Sequence, residues 1–252
     1  MRLEKYLVIR GLGSRRVIIE KVKNGDISVN GIQVFDERID VYEDDKILYL
    51  GNELKEKELK YFALYKKMGY ITAMEDKRPT VVELLPDWFD KDSFFPIGRL
   101  DKDTEGLLLI TDDGMLAHEL LAPGKHVDKT YFVRVEGKLT VEKIEKLENG
   151  VDIGEKNLTM PAKAEIVGGS WEGAGEPEPG RVRRENLPEV YTELHLTIHE
   201  GKFHQVKRMM EAVGTPVIYL KRISMGPLIL PDDLKKGECR SLTDEELRKL
   251  KT

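Results

Sequence analysis

Apolar positions along the chain follow two regimes that divide near residue 60. In the first, residues 2–10 and the segment GSRRVIIEKVKNG carry apolar residues at helical spacing, and the second of these opens on a capping Ser14 and stops at Asn24-Gly25 with lysines in its last turns. Two short, neighbouring helices are predicted. ISVNGIQV then alternates strand-like residues around Asn30-Gly31, a pair suited to the tight turn of a hairpin, and KILYL predicts another strand after the polar turn Glu43-Asp44-Asp45. Residues 51–60, GNELKEKELK, mix charges without a sizeable apolar face and read as a linker.

Beyond residue 60 the strand-like runs are YFALYKK, GLLLIT, KTYFVRVEG, AKAEIV, YTELHLTIHE and PVIYLKRIS, interspersed with helical patterns at 115–122, 140–149, 203–213 and 244–250. Strands and helices do not alternate regularly, and no Gly-rich loop follows a strand. The expectation is an α+β fold with a mixed, largely antiparallel sheet, and a doubly wound nucleotide-binding fold is disfavoured. Residues 169–189, rich in Gly, Pro and Glu, interrupt two strands and read as a mobile surface insertion. Trp171 within it serves either local packing or contact with a ligand.

Composition narrows the class. The 252 residues suffice for a small module and a larger one, and 40% hydrophobic with 35% charged residues describes an ordinary soluble globular protein. The single cysteine, Cys239, allows no internal disulfide, and no Cys/His spacing resembles a structural zinc site. Charges run through what would be the apolar core of a signal peptide in MRLEKYLVIR, so a cytoplasmic protein is expected. A net charge of −5 excludes a simple polycation, yet residues 1–23 hold Arg2, Lys5, Arg10, Arg15, Arg16, Lys21 and Lys23 against Glu4 and Glu20. The basic surface is local.

The candidate chemistry lies in GRLDKDTEGLLLITDDG, residues 98–114, where a charged turn runs into an apolar strand. Asp101, Asp103, Glu105, Gly106 and Asp112 fall at positions of an EF-hand loop, but such loops join two helices and close on a bidentate glutamate where this chain has Asp112. Asp101-Lys102-Asp103 could be a phosphatase-type pair, although Ile97-Gly98-Arg99-Leu100 does not make the apolar strand that this arrangement needs. A solvated acidic turn before a buried strand is the plain alternative.

The block resembles the signature of the RsuA/RluB-type pseudouridine synthases, whose catalytic aspartate follows Gly-Arg-Leu, and the match runs on through Thr104, Gly106 and Asp112-Asp113-Gly114. Lys129-Thr130-Tyr131 resembles the second motif of that family, and EGKFHQVKRMMEAVG the last. The resemblance implies that Asp101 is the nucleophile, that Tyr131 packs against the target base, and that Lys207 pairs with Asp101 and keeps its carboxylate ionised. It implies a reaction without metal or redox cofactor. His204, Lys207 and Arg208 share a helical face, with His204 and Gln205 orienting the turn or touching the RNA backbone. Arg99 is expected at a phosphate, in the gap left by a flipped base, or in an internal ion pair.

Residues 1–57 resemble an S4 RNA-binding domain, with Arg15, Arg16, Lys21 and Lys23 as expected phosphate contacts, and residues 58–252 would form the catalytic domain. Asn157 to Ala162 and GECRSLTDEE look like the small-subunit branch of the family, so a monomer acting on 16S ribosomal RNA, or on the assembling small subunit, is expected. The same chemistry on 23S RNA, or an S4-type assembly factor without catalysis, are the alternatives.

Overall fold

The computed structural model describes residues 1–13, 15–54, 58–89, 93–170 and 188–251. The expected cap at Ser14, Trp171 and most of the 169–189 insertion lie outside these residues. In the first sixty residues, α1 (Leu3–Ile9) and α2 (Arg15–Lys23) bury Leu3, Leu7, Ile18 and Val22 against Ile27, Val41 and Ile47. β1 (Ile27–Val29) and β2 (Ile32–Gln33) pair across Asn30 and Gly31, whose φ angles of 51° and 80° are the left-handed pair that a two-residue hairpin turn requires.

β3 (Ile47–Tyr49) adds antiparallel to β1, and β4 (Asn52–Glu53) folds back onto β3 through Leu50 and Gly51. The linker expected from residue 51 therefore begins as a strand. Its charges sit on an exposed edge, where backbone pairing rather than an apolar face holds the segment.

The second sheet is built from β5 (Tyr61–Lys66), β6 (Phe95–Ile97), β7 (Glu105–Thr111), β8 (Lys129–Glu136), β9 (Lys163–Gly169), β10 (Tyr191–Ile198), β11 (Val217–Met225), β12 (Leu228–Ile229) and β13 (Cys239–Ser241). Among the described residues its order is β13-β5-β7-β11-β8-β10-β9, with β6 on β7 and β12 on β11. β7 and β11 run parallel, and the remaining pairs are antiparallel. Around it lie α3 (Gly114–Leu121), α4 (Val141–Asn149), α5 (Gln205–Ala212) and α6 (Asp244–Leu250).

The architecture is α+β, as the irregular succession of elements implies. β5 and β7 are buried on both faces: Phe62, Leu64, Leu108 and Ile110 enter one core, and Tyr61, Ala63, Leu107 and Leu109 the other. That double burial is why GLLLIT reads as an unbroken apolar run rather than an alternation. On the first core, α5 lays down Val206, Met209 and Met210, its apolar stripe, followed by Val213 at its C-terminal cap. The residues just before Asp101 make no strand, as expected: Gly98, Arg99 and Leu100 lie beyond the end of β6, a short strand that sequence reasoning missed, in which Phe95, Pro96 and Ile97 pair with Thr111, Ile110 and Leu109. Proline in a three-residue run hid it, and an edge strand tolerates proline.

Candidate active site

The turn from Gly98 to Thr104 carries Asp101 and is clamped from two sides. Thr72 Oγ1 donates to the Leu100 carbonyl at 2.8 Å and accepts from the Leu100 amide at 3.1 Å. Lys66, fully buried at the end of β5, directs its ammonium to the carbonyls of Asp101 at 2.8 Å and Thr104 at 2.7 Å. Burial pushes the Lys66 pKa down to about 8, against the opposing pull of Asp103 and Asp101. Sequence reasoning missed both clamps, since neither residue belongs to a local motif.

The Asp101 carboxylate emerges from this turn toward the start of α5. Lys207 Nζ lies 3.0 Å from Asp101 Oδ2 and also bonds Asp103, and His204 Nε2 stands 3.4 Å from Asp101 Oδ1. Burial alone would lower the Lys207 pKa, but its bonds to Asp103 and Asp101 outweigh that and raise it. For Asp103 burial acts upward, and the Lys207 bond and charge more than offset it. The lysine is thus held as a cation between two carboxylates.

Asp101 opens onto a cavity of about 540 Å³. Its buried surface includes Leu100, Lys129, Tyr131, Ile198, Val206, Leu220 and Arg222, and its exposed rim includes Arg78, Arg99, Lys102, Phe203 and His204. Tyr131 is 8% exposed and stands on β8, in register with Arg222 of β11. A space of this size, walled by apolar side chains and two buried cations with the Asp101–Lys207 pair at its edge, accommodates a planar base with its sugar.

The expected shared face of the last motif divides. His204 precedes α5 in a left-handed conformation, φ 49°, which turns its ring toward Asp101. Gln205 is buried and serves the turn, accepting from the Lys202 amide at 2.9 Å and donating to Glu200 at 2.9 Å. Arg208 points away from the cavity, with Nη1 2.9 Å from Glu155 and from the Phe203 carbonyl. Arg99 lies on the rim with no ion pair to another described residue.

The end of the acidic block is structural. Asp113 caps α3 by accepting from the amides of Met115 and Leu116, each at 3.0 Å, and Asp112 accepts from the Lys60 amide at 2.8 Å. Gly106 explains itself by contact: a Cβ there would stand 2.2 Å from the Arg222 carbonyl oxygen. On α2, Arg15 bonds Glu4 at 3.0 Å and Arg16 lies 3.8 Å from Glu20. Lys21 is half-buried against Tyr49, donating to its hydroxyl at 2.6 Å, while Lys23 is exposed.

Comparison with known proteins assigns the class. The RNA pseudouridylate synthase family matches residues 60–212, which contain Asp101, Tyr131 and Lys207. An uncharacterized RNA pseudouridine synthase, YtzG, of Bacillus subtilis (strain 168) is 43% identical, over 99% of this chain and 98% of its own. The ribosomal large subunit pseudouridine synthase B of the same organism is 37% identical, with 99% and 95% coverage, and the ribosomal small subunit pseudouridine synthase A of Yersinia pestis 36%, with 98% and 97%. A crystal structure of a pseudouridylate synthase, 31% identical, covers 99% of each chain at a TM-score of 0.67. The chain belongs to the RNA pseudouridylate synthases, in their RsuA/RluB-type branch.

Proposed function

We propose that this synthase isomerises uridine to pseudouridine in ribosomal RNA, with 16S RNA the favoured substrate and Asp101 the nucleophile. The observation that carries the reading is the Asp101 carboxylate held 3.0 Å from Lys207 Nζ at the edge of a cavity walled by Tyr131. The reaction detaches the base from the ribose at N1, turns it, and rejoins it through C5. It requires a carboxylate that adds to sugar or base, an enclosure that keeps the free uracil, and removal of the C5 proton.

Asp101 supplies the carboxylate, Lys207 orients it, and Tyr131 packs on the base. Entry of the base requires flipping, which takes about a few kcal/mol of unstacking. Arg99, on the rim, is placed to meet the RNA backbone or the space left in the stack. His204 joins Lys207 in positioning Asp101. Arg208 ties the segment that precedes it, through the Phe203 carbonyl, to Glu155, which leaves it a supporting role rather than one on the RNA.

Residues 1–57 are read as an S4 RNA-binding domain, with Arg15, Arg16 and Lys23 as phosphate contacts and Lys21 divided between RNA and Tyr49. The choice of 16S rests on Asn157 to Ala162 and on the segment from Gly237 to Glu246, which resemble the small-subunit branch. A monomer in the cytoplasm fits this work; no helix among the described residues is long and apolar enough to cross a membrane.

Tritium release from C5-labelled uridine in 16S and 23S transcripts, free and in partly assembled subunits, tests the reading. Release from 16S alone, abolished in Asp101→Asn with RNA binding intact, is expected. Release from 23S alone would move the substrate and keep the chemistry, and turnover by Asp101→Asn would remove the nucleophile.

A further inference from the structure

Arg222 is a charged group of the cavity to which the reaction outlined above gives no task. It stands on β11 opposite Tyr131 on β8, is 2% exposed, and lines the same cavity. Its Nε donates to the Leu107 carbonyl at 2.8 Å, while Nη2 is buried without a hydrogen-bond partner. A buried guanidinium with an unused donor is unfavourable in the empty protein, and because Arg222 lines the cavity, a small turn of its side chain brings that donor to a ligand seated there. Lys129, two residues before Tyr131 and therefore on its face of β8, adds a second cation. It is 8% exposed, its Nζ donates to the Val127 carbonyl at 2.8 Å, and burial, then the charge of Arg222, hold its pKa below the usual lysine range.

Depth decides what these cations meet. Exposed Arg78, Arg99 and Lys102 occupy the rim, where a phosphate arrives, whereas Arg222 and Lys129 lie among Tyr131, Ile198 and Leu220, within reach of the base. A neutral uracil offers two cations only its carbonyl dipoles. The detached base offers more. When the C1′–N1 bond breaks, its electron pair stays with the ring, leaving a uracil monoanion whose charge is shared by O2 and O4, while Asp101 bonds to C1′. After the ring turns, an electron pair from C5 forms the C1′–C5 bond as the C1′–O bond to Asp101 breaks and frees the carboxylate; C5 then gives up its proton and N1 takes one, so atoms and charge balance.

We propose that Arg222, assisted by Lys129, holds a carbonyl oxygen of the flipped uracil and carries the negative charge of the base while it is detached. The inference rests on reading the cavity as the uridine site. Arg222 would be a catalytic residue that acts after RNA has bound, because the charge it meets exists only once the glycosidic bond loosens.

The test is the single-turnover rate of C5 tritium release on 16S and 23S transcripts, with RNA affinity measured by filter binding, for wild type, Arg222→Gln, Arg222→Lys and Lys129→Gln. Arg222→Gln is expected to slow the step by about 10²–10³-fold at unchanged RNA affinity, the size of effect seen when one donor to a developing anion is removed. Arg222→Lys, which keeps the charge, recovers part of that loss. An Arg222→Gln rate near wild type, or a fall explained wholly by weaker RNA binding, overturns the inference and leaves the substrate reading standing.

Should Arg222→Gln fail to fold, as judged by its thermal melt, Arg222→Lys and Lys129→Gln carry the test. Each is then expected about tenfold slower at unchanged affinity, and wild-type rates in both overturn it. A wild type that releases tritium from neither transcript, free or in partly assembled subunits, overturns the uridine reading and this inference together.

Discussion

Gly106 fixes the distance between the strand that follows Asp101 and the strand that carries Arg222. It has φ 108°, and a Cβ would collide with the Arg222 backbone oxygen at 2.2 Å. Gly106→Ala should therefore destabilise the protein by about 3 kcal/mol, combining overpacking with a strained dihedral, measured by urea unfolding; a change below about 1 kcal/mol would mean that β7 and β11 separate freely. Lys66 makes a different prediction. Its folded pKa of about 8 lies below its unfolded value, so between pH 8 and about 10.4 the unfolded chain binds more protons and stability from this group rises with pH. The slope approaches about 1.4 kcal/mol per pH unit within that window and should vanish in Lys66→Met. That variant should also lose turnover, because the carbonyls of Asp101 and Thr104 lose their shared donor. An identical pH slope in both proteins would show that Lys66 titrates elsewhere. Asp101, Tyr131 and Lys207 were legible because each sits in a contiguous motif. Lys66, Thr72, Lys129 and Arg222 were not, or were passed over, because they come together only when β5, β8, β11 and the turn before Leu100 are assembled.

At the level of elements, legibility followed length and burial. α5 was readable because its apolar stripe is wide, and β7 because both faces are buried; β4, β6, β12 and β13, of two or three residues each, hold their place through partners distant in sequence rather than through a pattern of their own. Even the legible α5 begins one residue later than its basic face suggested, and His204, outside the helix, reaches Asp101 because of it. The pairing of β8 with β10 holds a further test. Arg134 and Glu193 face each other across that ladder, joined by an ion pair whose side chains are 4% and 0% exposed, with Arg134 Nη1 and Glu193 Oε2 left unsatisfied. Removing one charge strands the other in the interior. Arg134→Met alone should destabilise by about 3–5 kcal/mol, whereas Arg134→Met combined with Glu193→Leu should be near neutral, since the two desolvation penalties disappear together. A double-mutant cycle by chemical denaturation decides it, and additive losses would show that each residue is stabilised by something other than its partner.

For the whole molecule, the first unit has its own core and its own sheet, and it approaches the second where Val8 and Ile9 of α1 lie near Met115 of α3. Its basic helix and the Asp101 cavity thus belong to different sheets and different cores. This division predicts that affinity and chemistry can be changed separately. Replacing Arg16 and Lys23 by glutamate removes two exposed cations from α2 and touches no residue of the cavity. RNA affinity should fall, and the dependence of its logarithm on the logarithm of salt concentration should flatten by about 0.7–0.9 for each phosphate that α2 no longer neutralises. At saturating enzyme the single-turnover rate should stay at the wild-type value, because the groups around Asp101 are untouched. Salt titrations of RNA binding, paired with single-turnover assays, separate the two quantities. An unchanged salt slope would take α2 off the RNA. A rate that stayed depressed at saturation would mean instead that the first unit shapes the cavity itself, through the packing of α1 on α3.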